Sequence, residues 1–185
     1  EDLVCIRAHF HPAPDTVKHD IVITPKMSFG TGHHDTTWLM SKTMFSINLN
    51  NKSVLDMGCG TGILAILAGM LGATDILAID NDEWSYQNAV ENVARNKQEV
   101  QVKQSSLGEV AGHSFDIILA NINRHILLQY MPALSAQLNI DGKLIMSGLL
   151  TEDKNIIVTA AEDEGLKLKD AAEMNGWIAL RFEKR

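Results

Sequence analysis

The chain has 185 residues, 45% of them hydrophobic and 21% charged, with a formal net charge of −7 and two cysteines. That length suits one domain with a core of its own, and the composition is that of a globular chain. No apolar run nears the roughly eighteen residues of a membrane span, two cysteines make no disulfide framework, and no basic stripe offers itself to a nucleic-acid backbone.

The lysines are scattered among Asp and Glu, so a basic protein or a small molecule is a better partner than a duplex. No positively charged start followed by an apolar stretch reads as a secretory signal. A reducing cytoplasm is the expected compartment. The first residue is Glu1 and not Met, so a preceding segment is expected.

The first twenty residues read as loose, because His11 to Asp15 (HPAPD) contains two prolines that disfavour helix. From Ser53 onward strands and helices alternate. Ser53 to Met57 is a short apolar run that ends in glycine, and Ile63 to Leu71 has helical apolar spacing. Asp75 to Asp80 is the next strand, Asp82 to Asn96 a long helix, and Val100 to Lys103 a short strand. Phe115 to Ala120 (FDIILA) is apolar enough for burial on both faces. A helix follows from about His125 to Leu138, Asp141-Gly142 marks a turn, Lys143 to Ser147 is a strand, and Glu152 to Glu164 a helix. Leu166 to Glu173 and Trp177 to Phe182 close the chain as two strands joined by Asn175-Gly176, a hairpin signal.

This order predicts an α/β three-layer sandwich: a mostly parallel sheet covered by helices on both faces, with an antiparallel C-terminal hairpin. In open sheets of this kind ligands bind beyond the carboxyl ends of the strands. Asp56, Gly58, Asp80 and Asn121 all fall at such ends.

The turn Asp56-Met57-Gly58-Cys59-Gly60-Thr61-Gly62 has the spacing G-x-G-x-G and not the G-x-G-x-x-G of dinucleotide binders. Its glycines permit a tight turn and a close ligand approach. Asp56 would repel a pyrophosphate and suits an ammonium group. Asp80, at the next strand end, is placed to accept the two hydroxyls of a ribose. A ligand with a ribose, a cationic amino-acid tail and no phosphate is S-adenosylmethionine. Read blandly, the turn is a capped left-handed turn and Cys59 a small filler. The convergence with Asp80 favours the ligand. Asn121 offers a carbonyl acceptor that could hold an incoming amine, or it simply caps the next helix. Asn123 reads as a loop or cap residue.

The run ITPKMSFGTGHHDTT, the turn DMGCGTGILA, and AIDND, LANI and SGLL, in this order, resemble the bacterial ribosomal protein L-eleven methyltransferase (PrmA) family, over nearly the whole chain from about Val4 to the WIALRF strand. The FGTGHHDTT segment is the most specific part. The resemblance implies a class I methyltransferase fold, S-adenosylmethionine as cofactor and S-adenosylhomocysteine as product. It implies that the first glycine segment folds over the cofactor held by the second. Thr37 and Phe29 would then border the cofactor, and the turn residues Gly58, Gly60, Thr61 and Gly62 would carry it with Asp56, Gly58 approaching its amino-acid part. Asp80 would hold the ribose, and Asn121 would touch the cofactor and stand at the methyl-transfer centre. Phe29, His33 and His34 would shape the target channel.

The family's substrate would be lysine amines, and an N-terminal α-amine, of a basic large-subunit ribosomal protein. The family also carries an N-terminal recognition domain. Residues 1–20 are therefore expected to be a remnant of that connection, and 21–185 the methyltransferase domain. The family often has proline where this chain has Asp35. The His33-His34-Asp35 triplet has no further ligand cluster, so no metal is expected.

Three rivals remain. A base-amine methyltransferase usually follows its strand-end Asn with prolines and an aromatic, where this chain has Ile122-Asn123. A small-molecule amine methyltransferase and a non-catalytic cofactor-binding module share the same strand-end residues.

Overall fold

The structure, a computed structural model, describes residues 3–13, 16–24, 34–110 and 112–185. Two strands, β1 (Val4–Ala8) and β2 (His19–Ile23), form a parallel pair. Helix α1 (Asp35–Phe45) follows. Then come β3 (Ser53–Met57), α2 (Ile63–Met70), β4 (Asp75–Asp80), α3 (Glu83–Arg95), β5 (Gln101–Gln104), β6 (Phe115–Asn121) and α4 (Arg124–Ala136). The chain ends with β7 (Leu138–Leu150), α5 (Lys154–Asp163), β8 (Leu166–Met174) and β9 (Trp177–Lys184).

Strands β3 to β9 make one seven-stranded sheet in the order β5-β4-β3-β6-β7-β9-β8. All neighbours pair in parallel except β9, which runs antiparallel to both β7 and β8. The expected sandwich with a C-terminal hairpin is therefore present. The order reverses between β3 and β6, which opens a crevice beyond their carboxyl ends.

Strand parity sorts the core into two layers. Leu55, Met57, Leu77, Ile79, Ile118 and Ala120 pack with α4 and α5. Val54, Ile76, Ala78, Ile117 and Leu119 pack on the other face with α1, α2 and α3. Burial on both faces is why these strands read as unbroken apolar runs. Helix α2 has six buried residues in succession, Ile63 to Ala68, which suits a helix enclosed on all sides.

Three features differ from the sequence reading. Residues 4–8 are not loose: β1 is tied to β2 by its ladder and by Arg7, whose guanidinium pairs with Asp20 at 2.7 Å. Helix α1 was not expected. Its cap is His34, outside the usual set of cap residues, and its sequence is rich in threonine, a weak helix former. Asp141-Gly142 is a kink inside the longer strand β7, with Asp141 at φ +60°, and not a turn before a new strand. The β6–β7 register steps there from Phe115↔Leu138 to Ile117↔Lys143. The Asn175-Gly176 turn has positive φ at both residues (+49° and +83°), as a two-residue hairpin requires. No helix among the described residues is long and apolar enough to cross a membrane.

Candidate active site

The crevice is a cavity of about 770 Å³, a size that suits a small-molecule ligand. Asp56 shares the parity of Val54, Asp80 that of Ile76 and Ala78, and Asn121 that of Ile117 and Leu119. The three polar side chains therefore stand on one face of the sheet, at three strand ends, and all line the cavity.

The glycine turn is held from below. The amides of Gly58 and Cys59 both donate to the Ile79 carbonyl, at 2.9 and 3.0 Å, and the Gly62 amide closes the turn onto the Cys59 carbonyl at 2.8 Å. Gly58, Gly60 and Gly62 have φ of +68°, +54° and +80°, a sequence of conformations that side chains with a Cβ resist. Asp80 accepts the Gly60 amide on Oδ2 at 2.9 Å and the Asp82 amide on Oδ1 at 3.0 Å. Each carboxylate oxygen keeps a further lone pair for a ligand hydroxyl.

Asp56 is 1% exposed and accepts the Ala65 amide of α2 at 3.1 Å. Burial pushes its pKa up to about 7 against the pull of that hydrogen bond, and the neighbouring Asp80 charge pushes the same way. The Cys59 thiol lies between these groups, and burial with both carboxylates holds it well above its ordinary value. It is a poor thiolate and a poor nucleophile.

Asn121 ends β6, and its side chain makes no hydrogen bond among the described residues. Capping falls to Asn123, whose Oδ1 accepts the Ile126 amide at 3.1 Å. Thr37 lies buried in the first turn of α1 and lines the cavity, as does Thr61. His34 Nδ1 accepts the Thr36 amide at 3.3 Å and lies 2.9 Å from the Thr36 hydroxyl. The same ring stands edge-on to Trp177, 4.7 Å between centroids. Gly62 does not line the cavity. It faces Ala89 of α3, where a Cβ would stand 3.4 Å from that methyl group. Phe29 and His33 lie outside the described residues, and with them the expected fold-over of the first glycine segment.

The sequence reading did not include Trp177, Tyr130, Ile122, the Ser105-Ser106 pair or Gly148, all of which line the cavity. Only Gly148 carried a usable signal, since it follows directly on the strand expected over Lys143 to Ser147 and so falls at a strand end, as Asp80 and Asn121 do. Among the described residues lining the cavity there are two carboxylates and no lysine or arginine. Such a well attracts a cation and repels phosphates. Among the described residues no three His, Cys, Asp or Glu side chains gather in a way that could hold a metal ion.

These residues fit S-adenosylmethionine: a carboxylate with both oxygens still able to accept, a second carboxylate buried behind the turn, and a glycine cradle. The chain is 46% identical over 184 residues to the ribosomal protein L11 methyltransferase of Porphyromonas gingivalis, covering 98% of this chain and 63% of that protein. It spans less than two thirds of the length of the curated relatives, 63 to 65% for three of them. A crystal structure of ribosomal protein L11 methylase from Lactobacillus delbrueckii subsp. bulgaricus superposes with a TM-score of 0.91 at 30% identity, covering 100% of this chain and 96% of that one. The Thermus thermophilus 16S rRNA N2 G1207 methyltransferase, solved with AdoMet and guanosine, shares the fold at a TM-score of 0.72 and 19% identity, over 85% of this chain and 45% of that one. The seven-stranded sheet is thus the class I methyltransferase fold. The family model for ribosomal protein L11 methyltransferase (PrmA) matches residues 2–185. With sequence, strand order and strand-end residues in agreement, this chain belongs to the PrmA family.

Proposed function

We propose that this chain is the catalytic part of an S-adenosylmethionine-dependent protein methyltransferase. It acts on lysine amines, and on an N-terminal α-amine, of a large-subunit ribosomal protein, leaving S-adenosylhomocysteine. The observation that carries this reading is the meeting of Asp56, Asp80 and Asn121 on one face of the sheet, around a cavity whose described lining has no lysine or arginine. Residues 21–185 are the methyltransferase domain and 1–20 the connection leading into it. The enzyme works in the cytoplasm and binds no nucleic acid directly.

The cofactor supplies an electrophilic methyl group on a sulfonium. The chain's residues supply binding and alignment. Asp80 accepts from the ribose hydroxyls, and its two backbone hydrogen bonds keep it turned toward them. Gly58, Gly60 and Thr61 bring bare backbone to the amino-acid part, and Asp56 answers its ammonium group. Gly62 serves at one remove, by taking the left-handed φ of +80° that leads the turn into α2. Thr37 and Phe29 are further cofactor-binding residues.

Asn121 is the catalytic residue. Its amide oxygen accepts an N–H of the incoming amine and aims the lone pair, without acting as a base. A lysine with a reference pKa of about 10.4 must first shed its proton. The positive sulfonium beside it favours the neutral amine. A net charge of −7 suits a basic protein as partner.

The test is a calorimetric titration of the protein with S-adenosylmethionine. It is followed by transfer of labelled methyl groups to purified ribosomal protein L11 and, separately, to ribosomal RNA. Binding with label on the protein is expected. A folded protein that binds no cofactor, or that labels only RNA, overturns the reading.

A further inference from the structure

The Asn121 side chain has no hydrogen-bond partner among the described residues, so its aim comes from the backbone that carries it. That backbone turns at once through Ile122 to Asn123, the cap of α4. In the sheet β6 lies between β3 and β7, with Met57 opposite Ala120 and Ser147 opposite Asn121. The next residue on each neighbouring strand is a glycine, Gly58 on one side and Gly148 on the other.

Ile122 is gripped between them. A Cβ at Gly58 would collide with Ile122 Cγ2. A Cβ at Gly148 would collide with the Ile122 carbonyl oxygen and stand 2.8 Å from its carbonyl carbon and 3.0 Å from its nitrogen. The second contact is with the peptide itself, so no side-chain rotation relieves it. Nor is β7 free to withdraw. Gly148 sits at φ +80° within a break in the β7–β9 register between Met146 and Leu149. The Ser147 hydroxyl, fully buried, donates to the Ile178 carbonyl of β9 at 2.8 Å.

We infer that Gly148 is a positioning residue, which against the Ile122 peptide and with Gly58 against the Ile122 side chain forms a clamp that aims the Asn121 amide into the cavity. This rests on the reading of Asn121 given above. A catalytic amide with no side-chain anchor needs a backbone that cannot shift, and a displacement near 1 Å is enough to cost about a hundredfold in rate.

The complete protein is compared as wild type, Gly148→Ala, Ile122→Ala, Asn121→Ala and Gly165→Ala. Gly165 is the control, since it has φ +79° with nothing within 4 Å of a Cβ, and so shares the backbone strain without the contact. Three quantities are measured: kcat and KM for labelled methyl transfer to ribosomal protein L11, the calorimetric Kd for S-adenosylmethionine, and the ¹⁵N resonances of the Asn121 side-chain amide, identified by their loss in Asn121→Ala.

Gly148→Ala is expected to lower kcat by about thirtyfold or more while Kd stays within about threefold, with the Asn121 amide resonances shifted or broadened. Gly165→Ala is expected to leave kcat and resonances unchanged. Ile122→Ala opens the clamp without forcing any backbone apart, and is expected to lower kcat and perturb the resonances likewise. It decides the matter if Gly148→Ala does not fold. Unchanged kcat and resonances in whichever variant folds, or a loss of cofactor affinity that accounts for the loss of rate, overturns the clamp. A fully active Asn121→Ala would overturn the reading of Asn121. An inactive Asn121→Ala beside fully active Gly148→Ala and Ile122→Ala overturns the clamp alone.

Discussion

On the β3–β4 side of the crevice the backbone is tied down by hydrogen bonds. The amides of Gly58, Cys59, Gly60, Ala65 and Asp82 all have fixed acceptors, and the Thr61 carbonyl receives the Asn92 side chain at 3.0 Å. On the β6–β7 side the site is held by fit. Asn121 has no side-chain partner among the described residues, Ile122 is wedged between two glycines, and Trp177 meets His34 ring to ring. The first arrangement presents acceptors and bare backbone to a ligand whose polar groups never change. The second fixes an amide through its backbone alone and keeps its hydrogen bonds for an acceptor whose own change as it reacts. The two halves should therefore fail differently: damage to one is read in binding, damage to the other in turnover.

The largest expected effect is at Asn121. Removing one preorganised hydrogen-bonding group at a reacting centre costs about 10² to 10³ in kcat. Asn121→Ala should lose that much methyl transfer in single-turnover assays, with cofactor affinity within about threefold of wild type. If binding fell in step with turnover, the division between the halves would be lost. Asp80→Ala probes the other half. It removes the two ligand contacts that the proposed function gives Asp80, and leaves the Gly60 and Asp82 amides without their acceptor. Charge-assisted bonds are worth about 1.5–3 kcal/mol each, so calorimetry should show cofactor binding weaker by roughly a hundredfold at the least. At saturating cofactor, turnover should largely recover. A variant that binds normally would remove Asp80 from the ribose.

How much of this was legible in the sequence follows from which contacts are local. The central strands were readable because burial on both faces makes them uniformly apolar, and Asp56, Asp80 and Asn121 stood out as the polar residues that end such runs. The last hairpin was readable because Asn175-Gly176 dictates its own turn. The β1–β2 pair was not, because what holds it is distant: Asn96 grips Val22 through both its backbone groups, and Asn92 accepts the Thr24 amide across 68 residues. Helix α1 was hidden by a histidine cap and weak propensity. Trp177 and Tyr130 reach the crevice only through the strand order, which no local pattern encodes.

The smallest expected effect tests the buried carboxyl behind the glycine turn. Asp56 has a folded pKa of about 7, against an ordinary aspartate value near 3.9 in the unfolded chain. Its proton therefore stabilises the ligand-free fold fully below about pH 4, and that contribution is lost as pH rises through about 7. Glu183, held down by Lys169, and Glu109, held down by the Ser106 amide, titrate with the opposite sign. The clean quantity is thus the difference between wild type and Asp56→Asn. The variant should gain relative stability with rising pH, by at most about 1.4 kcal/mol per unit between pH 4 and 7. A cation in the cavity needs the ionised carboxylate, so cofactor binding to wild type below pH 7 should release up to one proton from Asp56. Titrations at pH 6.5 in two buffers of different ionisation enthalpy should give different apparent heats, and Asp56→Asn should shrink that difference. The ligand's own titration cancels between the two proteins. Equal heat differences in wild type and variant would mean that Asp56 is already ionised in the free protein, or that the cation lies elsewhere. In the second case the hydrogen-bonded half of the crevice would owe its selectivity for a cation to Asp80.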